Sequence, residues 1–279
     1  MVFAIICYLC GIMKNILFTL SCLLLLSMAL ACGNGEKSVG MSNADRDVLR
    51  REDSAAFKVG VLPTEDCLPI VVAKELRLFD TLGVSVHLRH YNALSECRIA
   101  LRDSLVQGAV IDTVLMAEMI GKGTPLYKGM RTEMRWKFLT AKKARITRLE
   151  QLADKTIAAD SHGEAHRLAE AAIDSLQKKG QLVFILQVED LNIRLKMLMN
   201  GNVDAALLPE PFATKALDQG ANVIERVKSK PAGVLALRSD AMKPQSRKEQ
   251  YKLFLKAIDI AKDSIQRYGK DKYMHLLIK

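Results

Sequence analysis

Aromatic residues are scarce in this chain. Trp, Tyr and Phe make up 5% of it, with a single Trp, while apolar residues as a class reach 49%. A core must therefore be built from aliphatic side chains, and there are enough of them to build one. Cysteine is nearly absent from the part that folds. Of six cysteines, Cys7, Cys10 and Cys22 precede Cys32, leaving Cys67 and Cys97 beyond it. The body has no cysteine cluster, no Gly-x-Ser-x-Gly, no Cys-x-x-Cys and no phosphate-binding glycine loop. The motif-borne grounds for a serine hydrolase, a dithiol enzyme or a nucleotide-hydrolysing enzyme are thus missing. Low-complexity tracts are also missing from the body.

The first residues carry an address. Ile16–Ala31 is an apolar run preceded by Lys14 and closed by Ala29-Leu30-Ala31-Cys32. A positive start, a hydrophobic stretch and a small-residue end make a secretory signal. The run falls short of the roughly 20 residues a membrane span needs. A Cys directly after such an end resembles the bacterial lipoprotein signal, which implies lipid on Cys32 and Cys32 as the mature N-terminus. Family members usually carry Leu three residues before the Cys; this chain has Ala29. Residues 1–12 hold no charge, and Met13-Lys14 makes a better start of translation. The signal peptide is accordingly expected over 1–31.

Residues 32–56 are rich in Gly, Asn, Ser, Asp, Glu, Lys and Arg, with no sustained apolar period. Such composition buries too little surface to offset ordering entropy, so a flexible tether is expected. The chain is basic, with 41 Lys and Arg against 31 Asp and Glu. Basic charge can mark nucleic-acid binding. Here the cations are spread along helix faces, and an exported chain does not routinely meet nucleic acid. A solvated surface with some attraction to anionic membranes or ligands is expected.

The body begins at Phe57. Phe57–Leu62 reads as a strand ended by Pro63, Leu68–Arg77 as a helix, and Val84–Tyr91 as a strand exposed on one face. Ser95–Gln107 reads as a helix capped by Ser95, Val110–Leu115 as a strand, Ala117–Gly121 as a short helix and Pro125–Lys128 as extended. The plan then repeats. Lys137–Ala141 is extended, Thr147–Ala153 a short helix and Lys155–Ala159 a strand. A long helix runs to Lys179 with Ser161 as its cap, followed by a strand over Leu182–Val188 and a helix over Asp190–Met199. Asn222–Val227 and Gly233–Arg238 are further strands, and Lys248–Ser264 is an amphipathic helix. Strands alternating with helices predict an α/β fold with mostly parallel sheets flanked by helices.

The most informative stretch is Gly201–Ala216, GNVDAALLPEPFATKA. A buried-type strand over Val203–Leu208 breaks at Pro209, Glu210 and Pro211, and a helix restarts at Phe212. Such strand ends are where open α/β sheets hold ligands. Gly108–Leu115 is a partial echo of it, with Asp112 in the place of Asp204. Two such units imply two similar lobes with a ligand between them.

Several segments together resemble a family. Val59-Gly60-Val61-Leu62-Pro63 is followed by Leu68–Glu75 and Leu78-Phe79, a strand, a Pro and an Ala-Lys-Glu-x-x-Leu-Phe helix. Leu149–Lys155, Asn202–Phe212 and Gly233–Arg238 follow in the family's order. The body, over about residues 57–275, resembles the bilobed periplasmic solute-binding proteins of ABC importers. The branch is the one that includes nitrate, sulfonate, taurine and thiamine-pyrimidine-precursor binders. The chain departs from it at Arg77, where the family often has Gly, and at Ser161-His162-Gly163, where it often has Gly-Ser.

The resemblance implies a type II periplasmic binding protein fold. Lobe one would take 57–138 and 233–279, and lobe two 139–232, with crossing strands near Arg135–Ala141 and Ala232–Arg238. It implies ligand-binding loops at Thr64, Glu65, Asp66 and Cys67, at Asn92 and Ser95, and at Asp112 and Thr113. In lobe two it implies Ser161, His162 and Gly163 at a helix N-terminus, and Glu210. Free N–H groups at a helix start suit an anion. Each position also has a plainer role. Ser161 can be a simple cap, Thr64–Asp66 a turn, and Asp112 and Asp204 backbone acceptors. His162 and His166 stand four apart near Glu164, which fits a solvated pair better than a metal site. Cys67 and Cys97 can form a disulfide, stand as free thiols or hold a soft metal.

Glu65, Asp66, Asp112 and Glu210 sit badly with a simple oxyanion, and a ligand with amine or amidine-like donors fits them better. The resemblance implies a periplasmic, lipid-anchored, monomeric binding protein that hands a small polar molecule to an ABC permease. No cofactor, metal, catalysis or nucleic acid is expected. The alternatives are a pyrimidine-synthase-like enzyme on the same fold, or a ligand-sensing lipoprotein without a transporter.

Overall fold

The computed structural model describes residues 43–278. The expected signal peptide, the lipidation site at Cys32 and the first part of the tether lie outside the described residues. The second part of that segment differs from the expected flexible tether, for it is a helix, α1 (Asn43–Ala55). Its sequence contains no Gly or Pro to interrupt helical hydrogen bonding. A compact body runs from Asp53 onward. No helix among the described residues is long and apolar enough to cross a membrane.

The body holds two five-stranded mixed sheets flanked by helices. In chain order its first elements are β1 (Phe57–Val61), α2 (Leu68–Glu75), α3 (Leu78–Thr81), β2 (Val86–His90), α4 (Leu94–Arg102), β3 (Gly108–Asp112), α5 (Thr113–Gly121) and β4 (Leu126–Thr132). The second group is β5 (Trp136–Thr140), β6 (Lys155–Ala159), α6 (Gly163–Gln177), β7 (Val183–Gln187), α7 (Leu191–Asn200), β8 (Ala205–Pro209), α8 (Phe212–Asp218) and β9 (Asn222–Lys228). The chain returns through β10 (Gly233–Arg238) and α9 (Gln245–Tyr268).

The two sheets share one plan. The first has the order β2-β1-β3-β10-β4 and the second β7-β6-β8-β5-β9. In each, three parallel strands are followed by an antiparallel fourth, β10 in one and β5 in the other. The fourth strand of lobe one arrives only after lobe two is complete, so the chain crosses between lobes twice. The crossings are the short segments before β5 and before β10. They lie slightly earlier than expected, because Trp136–Thr140 and Gly233–Arg238 are themselves sheet strands. The Ala232 amide donates to the Met134 carbonyl at 3.0 Å, tying one crossing to the other.

The core is aliphatic, as the shortage of aromatics requires. The parallel strands β3 and β8 are buried along their whole length, as is the antiparallel β10. Such strands are covered on both faces and read as continuous apolar runs. An aromatic cluster of Phe57, Phe79, Tyr251 and Phe254 fixes α9 onto lobe one, with Phe79 and Phe254 stacked at 5.5 Å. Arg77, after α2, has φ 53°. That left-handed conformation costs an L-residue about 1–2 kcal/mol and favours Gly, the residue common there in the family.

Candidate ligand-binding cleft

The carboxyl ends of the parallel strands of both lobes meet along one seam. Main-chain and side-chain links cross it, three of them from the carboxyl ends of β1, β2 and β3. The Glu65 amide, after β1, donates to the Glu210 carbonyl at 2.9 Å, and the Leu191 amide donates to the Asn92 carbonyl at 3.1 Å. In the third, the Asp112 carboxylate reaches the start of α6.

Asp112 ends β3 and caps α5. Its Oδ1 accepts the Leu115 amide at 2.8 Å, satisfying one of the orphan donors at the helix start. Its Oδ2 accepts the Glu164 amide of lobe two at 3.1 Å. The preceding amide, Gly163, donates to Glu118 Oε1 at 3.3 Å, and Glu118 Oε2 lies 3.2 Å from His162 Nδ1. The first two N–H groups of α6 are therefore both taken by carboxylates of lobe one. Asp112 is fully buried. Burial, with the charges of Asp160 and Glu164, pushes its carboxyl up to about 7 against the pull of the two amides.

Expected caps differ here from observed ones. Ser161 does not cap α6; the capping position is His162, without a side-chain bond. The Ser161 amide instead donates to Glu189 Oε1 at 2.8 Å. Ser95 likewise does not cap α4. Glu96 folds back to accept the Asn92 and Ala93 amides at 2.7 and 3.2 Å. The Ser95 side chain instead favours the ionised form of Glu189 across the seam. Burial works to raise the Glu189 carboxyl, but Ser161, Ser95 and Arg194 together hold it below its ordinary range.

Arg194, on α7, organises lobe two's side of the seam. It is fully buried. It donates to the Val188 and Leu207 carbonyls, at 2.8 and 2.9 Å, and ion-pairs with Asp160. One guanidinium thus clips the carboxyl ends of β6 and β7 to the middle of β8. A planar fork with five donors suits such a task.

A cavity of about 650 Å³ opens at the end of the seam nearest the crossings. Both lobes line it, with Glu65 and Asp66 from lobe one and Pro209 and Glu210 from lobe two. Arg131 and Thr132 at the end of β4, the crossing residues Glu133 to Arg135, Lys137, and Lys262 and Lys270 complete a mixed-charge wall. Glu210 has no free carboxylate there. Oε1 pairs with Lys137 Nζ at 2.6 Å and Oε2 accepts the Thr214 amide at 3.0 Å. Burial opposes ionisation, yet those partners hold Glu210 below its usual range. Glu65 pairs with Lys270 at 2.9 Å. Asp66 Oδ2 accepts the Thr132 hydroxyl at 2.8 Å, while Oδ1 is inaccessible and has no partner. Burial raises the Asp66 carboxyl.

The remaining expected residues fall elsewhere. Thr64 and Cys67 are buried behind the first loop, where the Cys67 sulfur accepts the Leu62 amide at 3.4 Å and the Thr64 hydroxyl at 3.6 Å. Cys67 and Cys97 are free buried thiols, not a disulfide. Thr113 lines a second hollow behind the crossings, with Pro231 and Gly233. Asp204 is structural, its Oδ2 accepting the Thr156 amide at 3.0 Å. His162 and His166 turn to different carboxylates, Glu118 and Glu170. Sequence reasoning missed Glu118, Glu189, Arg194 and Lys137. Glu189 directly precedes the Asp190 cap of α7 and occupies a strand end like the other loop positions, which was a usable signal. Glu118 lies within a helix and carried none.

Two lobes of identical strand plan, joined by two crossings and closing on a shared seam, define the periplasmic binding protein fold. The profile of the NMT1-like family matches residues 50–277, and the chain belongs to that family. Among solved structures, the chain is similar to the alkanesulfonate-binding protein SsuA from Xanthomonas axonopodis pv. citri bound to MOPS. The identity is 16%, with 80% of this chain and 78% of that one covered and a TM-score of 0.65. It is also similar to the nitrate-binding protein NrtA from Synechocystis PCC 6803, at 17% identity, 81% and 66% coverage and a TM-score of 0.65. SsuA from Escherichia coli is similar at 16% identity, 80% and 77% coverage and a TM-score of 0.59. At these identities the likeness is one of fold. Among curated proteins, none matches the chain.

Proposed function

We propose that this chain is an extracytoplasmic solute-binding protein that captures a small polar molecule between its lobes and delivers it to an ABC permease. Lipid on Cys32 anchors it to a bacterial membrane on the periplasmic side, and it acts as a monomer without catalysis. The observation that carries this reading is the cavity of about 650 Å³ lined by both lobes and by the crossing segment before β5. That volume lies within the range of small-molecule sites. Walls supplied by two lobes make solute contact and lobe closure one event, since a solute touching both favours the closed form. Membership of the NMT1-like family supports the reading, as does likeness in fold to sulfonate- and nitrate-binding proteins.

The test is thermal unfolding of protein purified gently from its own cell envelope, before and after stripping by unfolding and dialysis. A solute held at about 100 times its Kd adds about 2.7 kcal/mol, or roughly 5–10 °C for a body of this size. The stripped protein should melt lower by that order. Equal melting of native and stripped protein would count against solute capture.

A further inference from the structure

We infer that the outer face of the first half of α9, carrying Lys248, Lys252 and Lys256, rests on an anionic phospholipid surface and holds lobe one against it. This rests on the lipid anchor at Cys32 in the proposed function and adds where on the body the membrane is met.

Lysines spaced four apart fall on one side of a helix. All three are exposed. Among the described residues none of them pairs with a carboxylate. Like charges at this spacing repel one another and weaken the helix, which an anionic partner relieves. Lys243 precedes α9, and between it and Lys256 the only acid is Glu249. The opposite side of α9 is buried through Phe254, Ala257, Ile258 and Ala261. Packing therefore fixes the lysine side outward.

The chain enters the body at the same place. Arg247, directly before Lys248, donates to the carbonyls of Ser54, Ala55 and Ala56 at 2.7, 2.9 and 2.7 Å. Gln250 Nε2 donates to the Ala55 carbonyl at 3.0 Å. The segment that leads back to Cys32 is thus pinned to the start of α9. Residues 33–52 span at most about 70 Å when fully extended. Lipid on Cys32 keeps the membrane within that reach of the lysines, so even a weak attraction acts at high effective concentration. Each lysine beside an anionic surface strengthens binding roughly fivefold, and three together on the order of a hundredfold.

The second half of α9 differs. Asp259 and Asp263 are exposed there, and Lys262 and Ile265 line the cavity. Anionic lipid is favoured at the entry end of the helix and not at the cavity end. α9 packs on lobe one through Phe57 and Phe79. Contact through α9 therefore holds lobe one and leaves lobe two free to close on a solute.

The test uses the full chain purified in detergent from its own membranes and added to two kinds of preformed vesicle. One is pure phosphatidylcholine and the other an equal mixture of phosphatidylcholine and phosphatidylglycerol. A water-soluble acylating reagent labels lysines, and peptide mass spectrometry reads each position. Lys248, Lys252 and Lys256 should be labelled about tenfold more slowly on the anionic vesicles than on the neutral ones. Lys178 and Lys196, exposed on lobe two, should be labelled equally on both. High salt should abolish the difference, because screening weakens exposed charge pairs. Equal labelling of the α9 lysines on both vesicles would overturn the inference. So would equal protection of Lys178 and Lys196, since the body would then meet the membrane without a preferred face. The mass of the Cys32 peptide reads the anchor separately. Absence of lipid there removes the anchor and this inference with it, whereas lipid with equal labelling removes this inference alone.

Discussion

Gly163 and Asp112 fit each other across the two lobes: the Asp112 Oδ2 atom occupies the space beside Gly163 that a side chain would need, 2.6 Å from a Cβ placed there. Gly163 also has φ +80°, a conformation few L-residues adopt. Gly163→Ala should therefore lower the stability of the body by about 1–3 kcal/mol. Adding Asp112→Gly should recover the steric part, leaving only the backbone cost. Thermal unfolding of the two single variants and the double variant reads this coupling. Strictly additive losses would mean the two residues do not meet.

The pH dependence has a definite sign. Asp112 is held at about 7 in the closed body, against an ordinary value near 3.8, because burial and the charges of Asp160 and Glu164 disfavour ionisation. The unfolded chain, or an opened lobe, loses its proton near the ordinary value. The closed body therefore loses stability as pH rises from about 4 to 7, and the loss levels off above 7. Glu118, Arg167 and His162 also face this group, and all remain in Asp112→Asn. That variant, which can still cap α5, should match the wild type near pH 4 and exceed it by on the order of 2–4 kcal/mol near pH 8. Paired unfolding curves at the two pH values check it. A gap independent of pH would reassign the effect to packing.

Arg194 should be among the most sensitive positions. It is fully buried and holds Asp160 and the carbonyls of Val188 and Leu207. Arg194→Met removes the charge and leaves the buried Asp160 uncompensated, a loss of about 3–5 kcal/mol. The double variant Arg194→Met with Asp160→Asn should recover a large part, because a neutral amide costs far less to bury. Denaturant unfolding measures both.

Cys67 and Cys97 should be chemically silent. Both thiols are buried, and burial first, then neighbouring carboxylates, pushes both well above the ordinary thiol range. Thiolate is the reactive species. Peptide-resolved alkylation at pH 8 should leave both cysteines unmodified in the folded protein and modify both in denaturant. Rapid labelling in the folded state would show that the loop after β1 opens.

Much of the fold was legible because its signals are local. Lys155–Ala159 and Gly233–Arg238 have the expected bounds. β4 runs on to Thr132, beyond the expected Lys128, because its Lys128–Arg131 stretch is half-polar at a sheet edge and its strand character comes from pairing with β10. The echo between Gly201–Ala216 and Gly108–Leu115 was a sound guide, since β8 and β3 hold equivalent places in the two sheets. Asp204, the counterpart of Asp112 in that echo, starts its strand and bonds Thr156, whereas Asp112 ends its own.

The site was legible by position more than by role. Ser95 and Ser161 have capping chemistry, but tertiary partners decide their use: Glu96 takes the amides at one helix start and Glu189 takes the Ser161 amide at the other. Glu210, between its two prolines, lies at the seam. Its link to lobe one is made by the main-chain carbonyl, because Lys137 and Thr214 hold the carboxylate. Lys137 lies 73 residues from Glu210, a pairing that no sequence period shows. Glu118 gives no local sign either, since a helix-borne Glu reads as solvated surface until a second lobe is packed against it.

Native mass spectrometry of the protein extracted from its own cell envelope tests solute capture most directly. The expected spectrum holds a species heavier than the bare chain by one small molecule. Mild activation should remove that mass. A bare chain alone, with the same mass before and after activation, would contradict it.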